Sequence, residues 1–337
     1  MRTATAEALA WRVEVPESVA AAGWSGDGVL AVADLGGQVT LLDGRDGAVL
    51  GTGPAHPGGV HTLAWQPRGD VLATGGADGR VALRDAGRRE HHVDLGGWVH
   101  ALRWSPSGDR LAVGAGRDLV LLDPAGGVLA RWDGQPSTVT DVVWSRDGSR
   151  VGAAAYGGLR WYAVARPAPE PVRTLDGGGS LLVARVSPDG RWVASGNQDA
   201  SVHVWRLWSG EDAEMAGYPE KVDVLAFDRT GRWLANGGTT EVHLWDFSGA
   251  GPAGRAPRRL PGHDAQLSAL AWQPTGDLLA SAGRDGGLAV WAPATVTRRV
   301  PRLDLDAGAR VTALAWSPDG ARVAAGTREG AVLALCP

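Results

Sequence analysis

Residues 60–84 read VHTLAWQPRGDVLATGGADGRVALR, and the local chemistry of that stretch decides the fold. Val60 to Trp65 is a short apolar run of strand composition. Gln66-Pro67-Arg68-Gly69 follows as a turn, with proline pre-set for its second position and glycine free to take positive φ. Val71 to Thr74 resumes as strand, Ala77-Asp78-Gly79 turns the chain again, and Val81 to Arg84 is a third strand. A variable stretch through His91 to Leu95 supplies a fourth. Runs such as Leu111-Ala112-Val113 and Leu119 to Leu122 show little alternation, which predicts strands buried on both faces. A blade of four antiparallel strands packed between two neighbours has that environment.

Copies of this unit run from end to end of the chain. Trp24, Trp65, Trp104 and Trp144 close the opening runs of four successive units, Val186 and Phe227 substitute in the next two, and Trp272 and Trp316 close the last two. The glycines of the following turn, Gly28, Gly69, Gly108, Gly148, Gly190, Gly231, Gly276 and Gly320, make the same count. Eight units are expected within a single domain spanning 1–337. Their cores lie near 18–59, 60–97, 98–137, 138–179, 180–220, 221–265, 266–309 and 310–337. The last unit ends after its third strand, and residues 8–15, ALAWRVEV, have the composition of the fourth strand it lacks.

Composition supports a packed all-β protein. Hydrophobic residues make up 44% and charged residues 21%, enough for a sizeable core, and the 50 glycines and 20 prolines recur between the apolar runs as turns. A formal net charge of −4 disfavours nucleic acid as a partner. Lys221 is the only lysine and isoleucine is missing, a usage attributed to a GC-rich bacterial genome. Cys336 is the single cysteine, so no intrachain disulfide can form and a reducing compartment is expected. Glu7, Arg12 and Glu14 break up the first residues, so no signal peptide is expected, and no apolar run is long enough to span a membrane. The expected location is the cytoplasm.

The repeat resembles the WD-repeat family over nearly all of the chain, from about Ala8 to Pro337. The seventh unit matches best: His263 lies four residues before Leu267, Ser281 ends the second strand, Asp285 sits in the next turn and Trp291 closes the third strand. The resemblance implies a hydrogen-bonded tetrad of these four. His56, Thr74 and Asp78 match at the same offsets, with Arg84 in place of the tryptophan. The fifth unit keeps Ser195, Asp199 and Trp205 but has Gly177 at the histidine position, and the sixth has Trp245-Asp246 but Asn236 and Thr240 elsewhere. The resemblance implies an all-β, closed β-propeller of four-stranded antiparallel blades, eight by the repeat count with seven as the alternative. It also implies closure by pairing of the N-terminal strand with the C-terminal blade.

No motif assigns a reaction. Gly114-Ala115-Gly116 and Gly177-Gly178-Gly179 lack the nucleotide fingerprint and a following helix, and the serines of Ser-Pro-Asp-Gly turns recur as turn residues do. Asp78, Asp199 and Asp285 recur in turns as well, where a carboxylate holds backbone N–H groups. No cofactor is expected. His61 and His100 occupy equivalent places at the start of neighbouring innermost strands and are the candidates, weak ones, for a metal or catalytic pair. His91 and His92 fall in an outer strand and are expected to face solvent.

Arginines gather in the connections between third and fourth strands: Arg88 and Arg89, then Arg255, Arg258 and Arg259 in the loop 248–261, then Arg298 and Arg299 within 294–302. They share a face with Asp27, Asp147, Asp189 and Asp319, which reads as a solvated surface of mixed charge or a site for an acidic partner. The opposite face offers Trp98, His61, His100, Asp141, Tyr218, Lys221, Asp223 and Arg310 around the channel mouth, with Trp98 and Tyr218 as anchors for a protein or peptide. The expected role is a protein-interaction scaffold or adaptor, not an enzyme, monomeric by itself. An enzyme or metal site at the channel mouth is the competing class, and a regulatory subunit of an enzyme encoded nearby is a third.

Overall fold

In the computed structural model, which describes residues 8–85, 89–293 and 300–337, the chain is a β-propeller of four-stranded antiparallel blades. Each repeat unit opens with an innermost strand or strand half. These are Val19–Trp24, Val60–Trp65, Val99–Trp104, Asp141–Trp144, the second half of Arg173–Val186, Leu225–Phe227, Leu267–Trp272 and Val311–Trp316. Successive arms touch in that order, and the last touches the first, so the chain closes around a central channel.

Among the described residues the strands form seven hydrogen-bonded sheets, six of four strands and one of six. Counted as sheets, this corrects the expectation of eight separate blades to the alternative of seven. The difference lies at units 138–179 and 180–220, where Arg150–Ala163 and Arg173–Val186 are each 14 residues long. Arg150–Ala163 pairs with Asp141–Trp144 through Val151–Ala154 and then, past a register shift at Tyr156/Gly158, with Arg173–Val186. Arg173–Val186 continues through Leu181–Val186 to pair with Trp192–Asn197. Gly158 makes the corner possible: at φ 137 a Cβ there would lie 2.1 Å from the Leu175 carbonyl oxygen. The two units therefore share one sheet while keeping separate inner arms.

Closure joins the two ends of the described chain. Leu9–Glu14 pairs antiparallel with Ala331–Leu335, placing Trp11 opposite Ala334 and Glu14 opposite Ala331. The Cys336 N–H adds a 2.8 Å bond to the Ala8 carbonyl. This pairing occupies an edge that would otherwise present free N–H and C=O groups.

Burial follows position within a unit. Second strands such as Leu72–Gly76, Leu111–Ala115, Leu279–Gly283 and Val323–Thr327 are buried along their whole length, as the missing alternation predicts. Outer strands such as Val49–Pro54 and Val128–Trp132 are mostly half-buried or exposed. The tryptophans that end the innermost arms latch each unit to the one before. The indole N–H groups of Trp24, Trp65, Trp104, Trp144, Trp272 and Trp316 donate to the carbonyls of Ala315, Gly23, Ala64, Arg103, Ala226 and Ala271, at 2.9 to 3.0 Å. Val186 and Phe227 have no such donor, so the junctions they close lack this tie.

Candidate functional site

The residues that hold each unit can be separated from those left over for binding. In the seventh unit, Ser281 Oγ accepts the Trp291 N–H at 2.8 Å and lies 2.8 Å from His263 Nε2, while Asp285 Oδ1 lies 3.7 Å from His263 Nδ1. Asp285 also holds its own turn by accepting the Gly287 N–H at 3.0 Å. In the second unit His56 reaches Thr74 Oγ1 and Asp78 Oδ1, both at 2.9 Å. Arg84, at the tryptophan position, pairs instead with Glu90. The fifth unit builds a serine–asparagine relay, Ser195 to Asn197 to Ser201 to Asp199, where the histidine is missing.

Tyr218 belongs to this structural group, which corrects its expected place as an exposed anchor. It is only 8% exposed, its hydroxyl donates to Asn236 Oδ1 at 3.2 Å, and the Trp245 N–H reaches both Tyr218 and Asn236 at 3.1 Å. Tyr218 precedes Asn236 by the same 18 residues that separate His263 from Ser281. The matching offset is a signal present in the sequence, carried by a tyrosine in place of a histidine.

Around the channel mouth, Trp98 stands 60% exposed. The His61 and His100 rings stack beneath it at 5.2 Å with 8° between planes, and the indole meets both edge-on at 6.2 and 6.1 Å. Stacked imidazoles hold their ring nitrogens in parallel planes, an arrangement suited to packing the indole more than to converging on one ion. Burial, reinforced by the neighbouring His61, lowers the His100 pKa below its usual 6.5. Among the described residues Leu35 and Tyr156 are further large exposed side chains on this face, a feature the sequence does not advertise. Lys221 Nζ sits 3.6 Å from Asp223, and Arg310 is exposed on the rim.

Asp141 lies inside the channel rather than on its rim. Its Oδ1 accepts Arg103 Nη2 at 3.2 Å and the Val142 N–H at 2.9 Å, and its Oδ2 accepts Arg185 Nη1 at 2.6 Å and the Ala184 N–H at 3.0 Å. Burial alone would raise this carboxyl's pKa, but the positive charges of Arg185 and Arg103 outweigh it and hold the group below its usual value. The cluster ties the third, fourth and fifth inner arms, and so bridges the junction where Val186 replaces a latching tryptophan. Arg103 and Arg185 are absent from the expected site, yet their signal is present in the sequence. Their equivalents in the other innermost arms are Gly23, Ala64, Val143, Ala226, Ala271 and Ala315.

On the opposite face the turn aspartates are engaged locally. Ser145, Ser187 and Ser317 donate to Asp147, Asp189 and Asp319. The bonds from Ser145 and Ser149 pull Asp147 down to about 2. Arg255 bonds to Asp246 and Ser248 within the loop 248–261, and Arg258 to the Pro293 carbonyl at 2.8 Å. Arg88, Arg298 and Arg299 lie outside the described residues. Trp208 adds an exposed indole to this face, with the Arg150 guanidinium 4.4 Å from its ring centre.

Among the described residues no group of three or more His, Cys, Asp or Glu is placed to hold a metal ion, and no helix is long and apolar enough to cross a membrane. Segments 47–85, 169–206, 254–292 and 302–333 match the family described as WD domain, G-beta repeat. Protein HIR1 of Yarrowia lipolytica is 29% identical over 160 residues, covering 35% of this chain and 15% of that protein. Cell division cycle 20.6, cofactor of APC complex, of Arabidopsis thaliana is 30% identical over 169 residues, covering 47% of this chain and 39% of that protein. Coronin-7 of Rattus norvegicus is 28% identical over 131 residues, 36% of this chain and 14% of that protein. The matches thus span well under half of these relatives' lengths. These relatives are eukaryotic and lend no support to the bacterial source expected from composition. The computationally designed Ika8 protein superimposes with a TM-score of 0.82 at 20% identity, over 98% of this chain and 100% of that one.

Proposed function

Because four segments of the chain match the WD domain, G-beta repeat family, we propose that it is a WD-repeat protein-interaction scaffold or adaptor. A protein or peptide partner docks on the face that carries Trp98. The observation that carries this reading is the indole itself: a large aromatic, 60% exposed and held by two histidine rings beside a channel, is the kind of anchor that dominates interfaces. Leu35 and Tyr156 extend the apolar surface on the same face. The Arabidopsis relative is described as a cofactor of a complex, which favours a protein as the ligand class.

The scaffold needs no cofactor and performs no reaction of its own. Its mild negative charge weighs against nucleic acid, and its single thiol, the exposed Cys336, suits the reducing cytoplasm. By itself it is a monomer, with Arg310, Lys221 and Asp223 as the polar rim of the docking face. The test is co-purification from the native host with Trp98→Ala beside the wild type. Loss of the retained partner is expected, while Trp208→Ala, on the other face, keeps it. A partner held equally by wild type and Trp98→Ala would refute the docking face.

A further inference from the structure

We propose that the central channel contains an oxyanion site, in which Arg185 and Arg103 together take one carboxylate or phosphate group. The three charged residues Arg103, Asp141 and Arg185 line an open cavity of about 510 Å³, together with His100 and Thr140. Asp141 accepts four hydrogen bonds and has no capacity left for another donor. Its effect on Arg185 is to fix the guanidinium, since Nη1 donates both to Asp141 and to the Ala184 carbonyl at 2.7 Å. Among the described residues, the other edge of that guanidinium, Nε and Nη2, has no protein partner. The side chain is 33% exposed and lines the cavity.

Arg103 is fixed in the same way. Its Nε donates to the Val142 carbonyl at 2.8 Å and Nη2 to Asp141, leaving Nη1 without a protein partner among the described residues. Two immobilised guanidinium groups with unused N–H donors form a pre-organised fork of the kind that binds carboxylate and phosphate through paired hydrogen bonds. Two arginines and one aspartate leave a single positive charge, which one anionic group neutralises. The equivalent positions in the other innermost arms are Gly23, Ala64, Val143, Ala226, Ala271 and Ala315, none of them charged. Asp223, an acid among the rim residues, lies 3.6 Å from Lys221 Nζ. Were the cluster only a structural staple, it would need no second arginine edge turned to solvent.

The site is tested on the whole chain labelled with ¹⁵N, titrated at low salt with sodium acetate and separately with inorganic phosphate, following the Nε–H resonance of Arg185. A saturable single-site shift from either anion is expected, and the stronger binder identifies the group. Arg185→Lys keeps a donor for Asp141 but removes the paired edge, and should weaken binding about tenfold or more, equivalent to a loss of one bidentate contact. Thermal melts provide a second readout: the binding anion raises the midpoint of the wild type and not of Arg185→Lys. Trp98→Ala, which removes the proposed partner anchor, should bind the anion as the wild type does, so the two proposals fail independently. No saturable shift in the wild type, or equal binding by Arg185→Lys, would overturn the oxyanion site.

Discussion

Ser281 carries two jobs with one hydroxyl: it accepts the Trp291 N–H and hydrogen-bonds His263 Nε2. Both partners are buried, so Ser281→Ala strands two nitrogens in a dry interior. The expected cost is about 2 to 3 kcal/mol, the range for leaving buried polar groups unsatisfied, measured as a lower urea midpoint at unchanged slope. Trp98→Ala provides the contrast, because an exposed side chain outside the core should change stability by no more than about 0.5 kcal/mol. At this scale the sequence is legible where a residue type repeats at a fixed offset, as with His56 and His263. It misleads where a different residue fills the same place, and Tyr218 shows why: its hydroxyl can take the histidine's role with Asn236 and Trp245, while its aromatic ring suggests an interface.

The strands present a similar division. Spacing of tryptophans, their two apolar substitutes and the turn glycines locates every innermost arm because each must end at a turn, a local requirement visible in the chain. What spacing cannot reveal is whether hydrogen bonding stops between units. Gly157 and Gly158, with Gly177 to Gly179, let two long strands pass through both corners, and the sheet count falls accordingly. The latches give an element-scale test. Trp316→Phe keeps an aromatic side chain but deletes both the N–H that reaches Ala271 and part of the buried indole, and is expected to cost about 2 kcal/mol by urea unfolding, about 1 of it for the hydrogen bond and the rest for the lost packing. Equal stability of the variant would show that neither the bond nor the indole's bulk holds this junction. Arg103 and Arg185 stand out in the sequence against the uncharged residues at equivalent places, but their meeting with Asp141 was not legible, since the three lie in three units and come together only once the ring forms.

For the molecule as a whole, the titrating groups set a direction for acid sensitivity. Asp141 and Asp147 have folded pKa values below the usual 3.8, so the unfolded chain binds protons more readily than the fold. Their contribution is complete above that usual value and is lost as pH falls through it toward the folded values. His100 acts in the same sense at higher pH: its folded pKa is below 6.5, so acidification through that range favours the unfolded chain. The thermal midpoint should therefore decline gently below pH 6.5 and more steeply below about pH 4. His100→Gln should flatten the first decline and Asp141→Asn the second, the latter from a lower starting stability; midpoints independent of pH would contradict this assignment.

The seam between Leu9–Glu14 and Ala331–Leu335 joins residues separated by more than three hundred positions in the chain. During synthesis the first of these strands leaves the ribosome long before its mate exists. Until residue 335 emerges, the nascent polypeptide has one unpaired strand and one open flank, both apt to stick to other chains. Locking of the ring is thus a late event, set by translation as much as by the chemistry of any blade, and it makes the growing chain a natural client for chaperones.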